Sequence, residues 1–510
     1  MFIRKIVLVS YFLCLISFIG FAQTDALQKI DITDLKRHLG FIASDELQGR
    51  RLGTEVDGLK QTANYLADYA REIGLKPGAE NYFQNFSMYS VKADKNNFIE
   101  VATLNNKTVF NSNSLLFFGG VEGSKKLRNS TVVLGGFGDK LKNESLKEQV
   151  LVVAQGNAES FNKGDDIRLR VSREMEKLKK IEEKEPGVII VVTSPQDKDN
   201  KGFNRLKAWF SQTRYTFNTG DDFIVPVLFS TPDFADALLG GKGKYKKYLS
   251  KVAKGNSSGW QPVQKKSVSL QAEIVSDEVH LNNIIGVVEG SDPKLKDEYV
   301  VFMAHYDHLG MGKGGEVFNG ADDNGSGTVA IMEVAEAFMS LDKKPKRSIV
   351  FLWTTCEEMG HLGSRYYCDH PVFPLQQTVA AINLDMVGRV YEEQRDDIWK
   401  NSPKKIKGFN GLYTLANKVW PELAEINNRK CKEIGLVPDS SLPEHYIRAS
   451  DHYHFHKNGV PVLNYSTGYH ADYHKVGDEV EKINFDKIKR VADLCFLVGL
   501  EVANTDNIKF

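Results

Sequence analysis

The 510-residue sequence contains only five cysteines, and none stands at the spacing of a structural zinc finger or a CxxC redox motif. Cys14 falls in an N-terminal apolar run, and Cys356, Cys368, Cys431 and Cys495 are scattered. In an exported protein some of these could pair, and buried free thiols fit the pattern equally well. Charge of one sign is not in excess either. Lys plus Arg and Asp plus Glu number 66 each, which gives a net charge of zero. A nucleic-acid partner is thereby disfavoured, because such binders carry a basic excess or stripe. The HExxH helix of single-zinc proteases and the GxSxG turn of serine hydrolases are both missing. Beyond the first 22 residues there is no apolar run long enough to cross a bilayer.

Those first residues read as a leader. Arg4 and Lys5 supply a positive start, Ile6 to Phe21 is almost unbroken apolar sequence, and Gly20-Phe21-Ala22 offers small residues for cleavage. The run is short for a span of about 20 residues. Cys14 comes after Leu13 rather than a small residue, which argues against a lipid-anchored cysteine. The expectation is export to the periplasm or the extracellular space, with residues 1–22 removed and no stable membrane insertion afterwards.

With 42% hydrophobic and 26% charged residues, the remainder can build large cores, and its length calls for more than one folding unit. Leu59, Ala63, Leu66, Ala67, Ala70 and Ile73 recur at helical spacing before Gly74, so a helix is expected over 55–73. Residues 23–105 are read as the first part of a main domain. From 106 to 266 the texture changes. Lys-rich and Gly/Asn/Ser-rich connections alternate with short β-type runs at 131–134, 150–154, 188–193 and 224–229, and a charged helical stretch covers 166–184. This region reads as an inserted, β-rich domain with one or two helices. Residues 267–510 resume the main domain with strands at 284–288, 300–304 and 348–355 and a helix over 325–341. Near-continuous apolar strands alternating with helices predict an α/β fold: a mainly parallel central sheet with helices on both faces.

In such sheets, sites form at the carboxyl ends of the strands, and the candidate ligands fall there. His305 ends one strand, within HYDHLG. The run GADDNGSG (320–327) precedes a helix. FLWTTC leads directly into Glu357-Glu358, and Val379 to Leu384 ends in Asp385. His474 lies in HADYHKVGDE. Adjacent glutamates after a buried strand are costly unless a cation is present. Imidazole and carboxylate are the ligands catalytic zinc takes. Two zinc ions bring four positive charges, which three carboxylates and one hydroxide cancel, with two neutral imidazoles completing the shells. Zinc lowers the pKa of bound water from about 15.7 to about 7. A second glutamate beside a ligand glutamate can then carry the proton to the leaving amine.

Together HYDHLG, GADDNGSG, CEEMG, NLDMVGR, SDHYHF and DYHK resemble metallopeptidase family twenty-eight, the co-catalytic zinc family of bacterial secreted aminopeptidases, whose larger relatives include glutamate carboxypeptidase and transferrin receptor. The N-terminal ELQGRRLGTEVDGLKQTANYLADYAREIGLKPG resembles that family's opening segment. The resemblance implies a zinc-exopeptidase fold and two Zn2+ per chain. It implies that His305, Asp323, Glu358, Asp385 and His474 are the metal ligands, with Asp323 bridging. Glu357 is implied as the general base and acid. Asp307 is implied to orient the His305 imidazole, as carboxylates behind metal-bound histidines do. Asp451 is a weaker candidate for support or for the pocket, and Tyr473 for a hydrogen bond to the oxyanion. His452, His454, His456 and His470 lie near the site in sequence, and the SDHYHF motif accounts for the segment holding the first three. The inserted region fits a protease-associated domain by position.

The expected activity is aminopeptidase cleavage of peptides. Alternatives are a carboxypeptidase or dipeptidase of the same family, a single-zinc glutaminyl cyclase, and a receptor-like binding protein with a dead site. The presence of His305 argues against the cyclase, and the complete ligand set argues against the receptor.

Overall fold

The computed structural model describes residues 25–510 except 95, 120–123, 143, 164–170, 211–212, 218–224, 391–407, 417–419, 443, 507 and 509–510. The leader expected over 1–22 lies outside the described residues. The chain divides into two compact units: one runs up to Phe86 and resumes over Leu281–Phe510, and the other is Ser87–His280.

In the first unit the strand Tyr299–His305 is central. It runs parallel to Ser348–Thr354 on one side and to Thr378–Leu384 on the other. Val462–Ser466 extends the parallel run. Gly411–Ala416 then joins antiparallel, and residues Ile284–Val288 flank Ser348–Thr354 antiparallel. Every residue of Ser348–Thr354 is buried, as a sheet covered on both faces demands. On one face Val301, Met303, Val350 and Leu352 pack with Tyr367 of helix Leu362–Asp369 and Phe455 of helix His452–Lys457. On the other, Phe302 meets Phe338 of helix Gly327–Ser340, which meets Phe496 of helix Phe485–Asn504. Burying each such ring is worth about 1.5–3 kcal/mol. The expected mainly parallel sheet with helices on both faces is what the chain forms. The helix expected over 55–73 spans Gly58–Glu72.

The second unit holds a six-stranded sheet. Val132–Gly135, Val150–Ala154, Val188–Val192 and Val227–Ser230 are parallel neighbours in that order. Trp260–Pro262 and Leu115–Gly119 pair antiparallel at its edges. Five helices accompany it among the described residues, more than the one or two expected: Ala158–Lys163, Val171–Glu182, Lys201–Phe210, Pro232–Leu239 and Lys244–Ala253. The last takes the place of an expected Lys-rich connection. Its buried Tyr245, Tyr248, Leu249 and Val252 fall on one helical face, and the lysines occupy the other. Residue 106, the expected domain limit, falls in the turn between paired strands Phe98–Ala102 and Lys107–Phe110. Cys356, Cys368, Cys431 and Cys495 are all buried and free. No helix among the described residues is long and apolar enough to cross a membrane.

Candidate metal centre

Parallel strands deliver the side chains. His305 is the last residue of the central strand, Glu357-Glu358 come just after Ser348–Thr354, and Asp385 just after Thr378–Leu384. The His305 Nδ1 hydrogen-bonds to the main-chain carbonyl of Asp307 at 3.2 Å. That contact fixes the ring and turns Nε2 toward three carboxylates: Asp323 Oδ1 at 3.6 Å, Asp385 Oδ1 at 3.7 Å and Glu357 Oε2 at 3.9 Å. The other oxygen of Asp323 faces elsewhere, with Oδ2 lying 3.1 Å from His474 Nε2. Glu358 Oε2 is 3.3 Å from the same nitrogen, and Glu358 Oε1 is 2.8 Å from His308 Nδ1. All six residues expected to carry the chemistry are thus brought together.

Five of the six, joined by His308, form two groups of ligand atoms, each with its atoms within 4.8 Å of one another: His305, Glu357 and Asp385, and His308, Asp323 and Glu358; His474 is in neither group. His305 Nε2, both ring nitrogens of His308, Asp323 Oδ2 and Glu358 Oε1 are buried without a properly angled hydrogen bond. Buried donors and acceptors are normally paired, and in each group one atom per residue lies within reach of a single ion. The donor set of imidazoles and carboxylates therefore fits two divalent cations.

Burial pushes the Glu357 carboxyl up to about 8 despite nearby His305 and His361. Burial acts on Glu358 in the same direction, but the close His308 and His474 imidazoles override it and hold the carboxyl well below the usual range. The two adjacent glutamates are therefore driven apart in acidity. For His474, burial pulls downward, yet the Asp323 and Glu358 carboxylates raise it to about 10.

A supporting layer holds these groups. Asp307 does less for His305 by its carboxylate than expected, since Oδ1 stands 3.7 Å from Nδ1. The carboxylate instead accepts the main-chain N–H of Glu357 at 3.0 Å and of Glu358 at 3.3 Å. It therefore fixes the turn carrying both glutamates, while its carbonyl orients the histidine. Asp478 does the same for the turn before Gly327–Ser340, accepting the N–H of Asp322 at 3.1 Å and of Asp323 at 3.0 Å. The Asp323–Asn324 peptide is cis. Asn324 Nδ2 donates to Leu384 O at 2.8 Å, and its Oδ1 accepts from Met386 N at 3.2 Å, which ties this turn to the exit of the Asp385 strand. His470 Nε2 lies 3.4 Å from Asp322 Oδ2, behind the ligand group.

Three further residues emerge from the structure rather than from the sequence. His308 sits against Gly320, whose φ is +57° and where a Cβ would come within 2.4 Å of the His308 ring. Arg50 is fully buried and donates to the carbonyls of Ile42, Tyr306, Asn319 and Gly320, at 2.6 to 3.0 Å. It thereby joins the loop after His305 to the loop before Asp323. His361 Nε2 lies 3.1 Å from Glu357 Oε1. Of the weaker candidates, Asp451 stands apart from the ligand groups and accepts from Thr354 Oγ1 at 2.5 Å. Tyr473 stacks on the His474 ring with centroids 3.8 Å apart. Beside Asp385 opens a cleft of about 50 Å³, lined by Met386, Tyr413, Tyr446, Asn464 and Tyr469 among others.

Residues 283–498 match the family model of peptidase family M28. Aminopeptidase YwaD of Bacillus subtilis (strain 168) is 29% identical over 238 residues, which cover 45% of this chain and 46% of the relative. Leupeptin-inactivating enzyme 1 of Streptomyces exfoliatus is 25% identical over 201 residues, 39% of this chain and 38% of its own length. A glutamate carboxypeptidase 2 homolog of Caenorhabditis elegans is 28% identical over 224 residues, covering 40% and 26%. The chain thus spans less than half the length of these curated relatives. The aminopeptidase from Aneurinibacillus sp. strain AM-1 shares the fold, with a TM-score of 0.54 at 16% identity over 95% of this chain and 97% of that one. The family match covers every ligand candidate from His305 to His474, and over residues 283–498 this chain carries a peptidase family M28 region.

Proposed function

We propose that this chain is an exported two-zinc aminopeptidase that removes single residues from the free N-terminus of peptides. The observation that carries the reading is the placement of Asp323. Its Oδ1 faces His305 and its Oδ2 faces His474, so one carboxylate addresses two donor groups. In this reading His305 and Asp385 would hold one ion, Glu358 and His474 would hold the other, and Asp323 would serve both. His308, at 2.8 Å from Glu358, orients that ligand. Bound zinc would supply Lewis-acid polarisation and a water ionised near neutral pH.

Glu357 is the proton carrier. Its Oε2 faces His305, and burial raises its carboxyl while the imidazoles beside Glu358 hold that one low. Two like groups driven apart in acidity separate the roles of proton carrier and ligand. Tyr473 keeps its proton, because burial pushes its hydroxyl far above the usual range, and so remains a donor for a developing oxyanion. The tyrosine-lined cleft beside Asp385 would take the side chain of the terminal residue. The names of the relatives support a peptidase, and the charged start and apolar run of residues 1–22 support export.

Hydrolysis of matched peptides with free and acetylated N-termini tests the reading. Preference for the free amine, with the N-terminal residue released first, is expected. Equal rates on both would show that the amine is not recognised, and release of the C-terminal residue first would make the chain a carboxypeptidase on the same centre.

A further inference from the structure

Glu357 has two oxygens with different surroundings. Oε2 looks toward His305 at 3.9 Å, and Oε1 lies 3.1 Å from His361 Nε2. The carboxylate has to present one defined oxygen to the reacting centre, and a buried carboxylate is held in one orientation only by partners on its far side. The hydrogen bond to Asp307 comes from the main chain of Glu357, not from its side chain. The side-chain orientation therefore has to come from elsewhere.

His361 is built into the same turn. Its N–H bonds back to the Glu357 carbonyl at 2.9 Å, and its own carbonyl accepts from Arg365 N at 3.0 Å as helix Leu362–Asp369 begins. Main-chain bonds from Leu362 N to Cys356 O at 3.0 Å and from Gly363 N to Thr355 O at 2.9 Å close the loop around it. Although His361 occupies the N-cap position, its side chain makes no capping hydrogen bond, so the ring does not serve the helix. The ring of His454, on helix His452–Lys457, crosses it edge-on with centroids 6.1 Å apart and limits its swing. A histidine with a fixed backbone, no capping role and a neighbouring ring against it points Nε2 at the one oxygen that the donor groups leave over.

We infer that His361 is the positioning residue for Glu357: its Nε2–H donates to Oε1, so that Oε2 is the oxygen offered to the substrate side. The inference rests on the reading of Glu357 as proton carrier. The Nε2 donor can be imitated by one amide only. Glutamine places its Nε2 at a similar reach, asparagine is one bond too short, and leucine has the bulk without a donor.

The test uses the full, zinc-loaded chain and a free-amine peptide that the unmodified chain cuts. It compares His361→Leu, His361→Asn and His361→Gln for kcat, KM and bound metal. Loss of such an orienting partner typically costs about 10–100-fold. The expected result is a drop of that size in kcat for the leucine and asparagine variants, with KM and metal content unchanged, and kcat largely restored in the glutamine variant. Asparagine and glutamine are both polar, so their contrast stands even if the leucine variant does not fold. The inference is overturned if His361→Asn keeps the kcat of the unmodified chain. It is also overturned if His361→Gln falls as far as His361→Asn, or if the loss appears in KM or metal content instead. If Glu357→Gln retains turnover, the reading of Glu357 falls instead and takes this inference with it.

Discussion

Both units of the chain are organised around parallel strands that read alike. Val188–Val192 in one and Ser348–Thr354 in the other are buried at every residue. The difference lies in the residues just past the strand ends. In the first unit three neighbouring strands end in or lead to His305, Glu357-Glu358 and Asp385. In the second, the comparable strands lead to Gly136-Phe137, Gln155-Gly156, Thr193-Ser194 and Thr231. No group of metal-capable residues appears there among the described residues. The hydrophobic periodicity that builds a sheet says nothing about chemistry, whereas the residues placed just past its carboxyl edge do.

The contrast can be broken first at the site. Glu357→Gln should lower turnover by at least about 10²–10⁴-fold, the range that general acid–base catalysis supplies, while zinc stays bound. Peptide assays together with metal analysis check this, and loss of metal would mean that Glu357 is itself a ligand. Asp307→Asn should cost less, about 10–100-fold in turnover, because it loosens the turn carrying both glutamates without removing either one. Steady-state kinetics on the variant measures it.

The other changes sharpen the contrast from the side of stability. Ile190 is fully buried in the central strand of the second unit. Ile190→Ala should cost about 2–5 kcal/mol of stability and leave metal content unchanged, as chemical denaturation and metal analysis would show. Glu333 gives a smaller effect that depends on pH. It is fully buried in helix Gly327–Ser340, and burial raises its carboxyl to about 8, although the N–H of Asp31 bonds to it at 3.0 Å. The folded state therefore binds a proton that the unfolded chain releases near its ordinary pKa. The associated stability is present at low pH and is lost as pH rises from about 4.5 through about 8. Glu333→Gln should remove that slope and stabilise the chain at pH 9 by an amount on the order of 1–3 kcal/mol, read from thermal scans at pH 5 and pH 9.

Much of the site is legible in the sequence because its residues sit at visible strand ends. His305, Glu357, Glu358 and Asp385 come at or after apolar runs, and Asp323 precedes a helix within a glycine-rich turn. His308 is not legible in the same way. It lies in a loop, and only the close approach of Gly320 and the 2.8 Å contact with Glu358 give it a place. A signal is present in the repeat of histidine within HYDH, three residues after His305. Arg50 offers less, since its partners are main-chain carbonyls, three of them more than 250 residues away in Tyr306, Asn319 and Gly320. In the helix Lys244–Ala253 the lysines mask an apolar stripe of four residues that has helical spacing. In the motif CEEMGH the glutamates draw the eye and His361 does not, because a contact that folds back within a tight turn leaves no periodic trace.

The most direct test is a count of zinc per chain under saturating metal, for the unmodified protein and for Asp323→Asn. An Asp323 carboxylate that faces His305 with one oxygen and His474 with the other predicts two ions in the unmodified chain and fewer than two once that carboxylate is neutralised. A single ion in the unmodified chain, or two held undiminished by Asp323→Asn, would contradict the bridged centre.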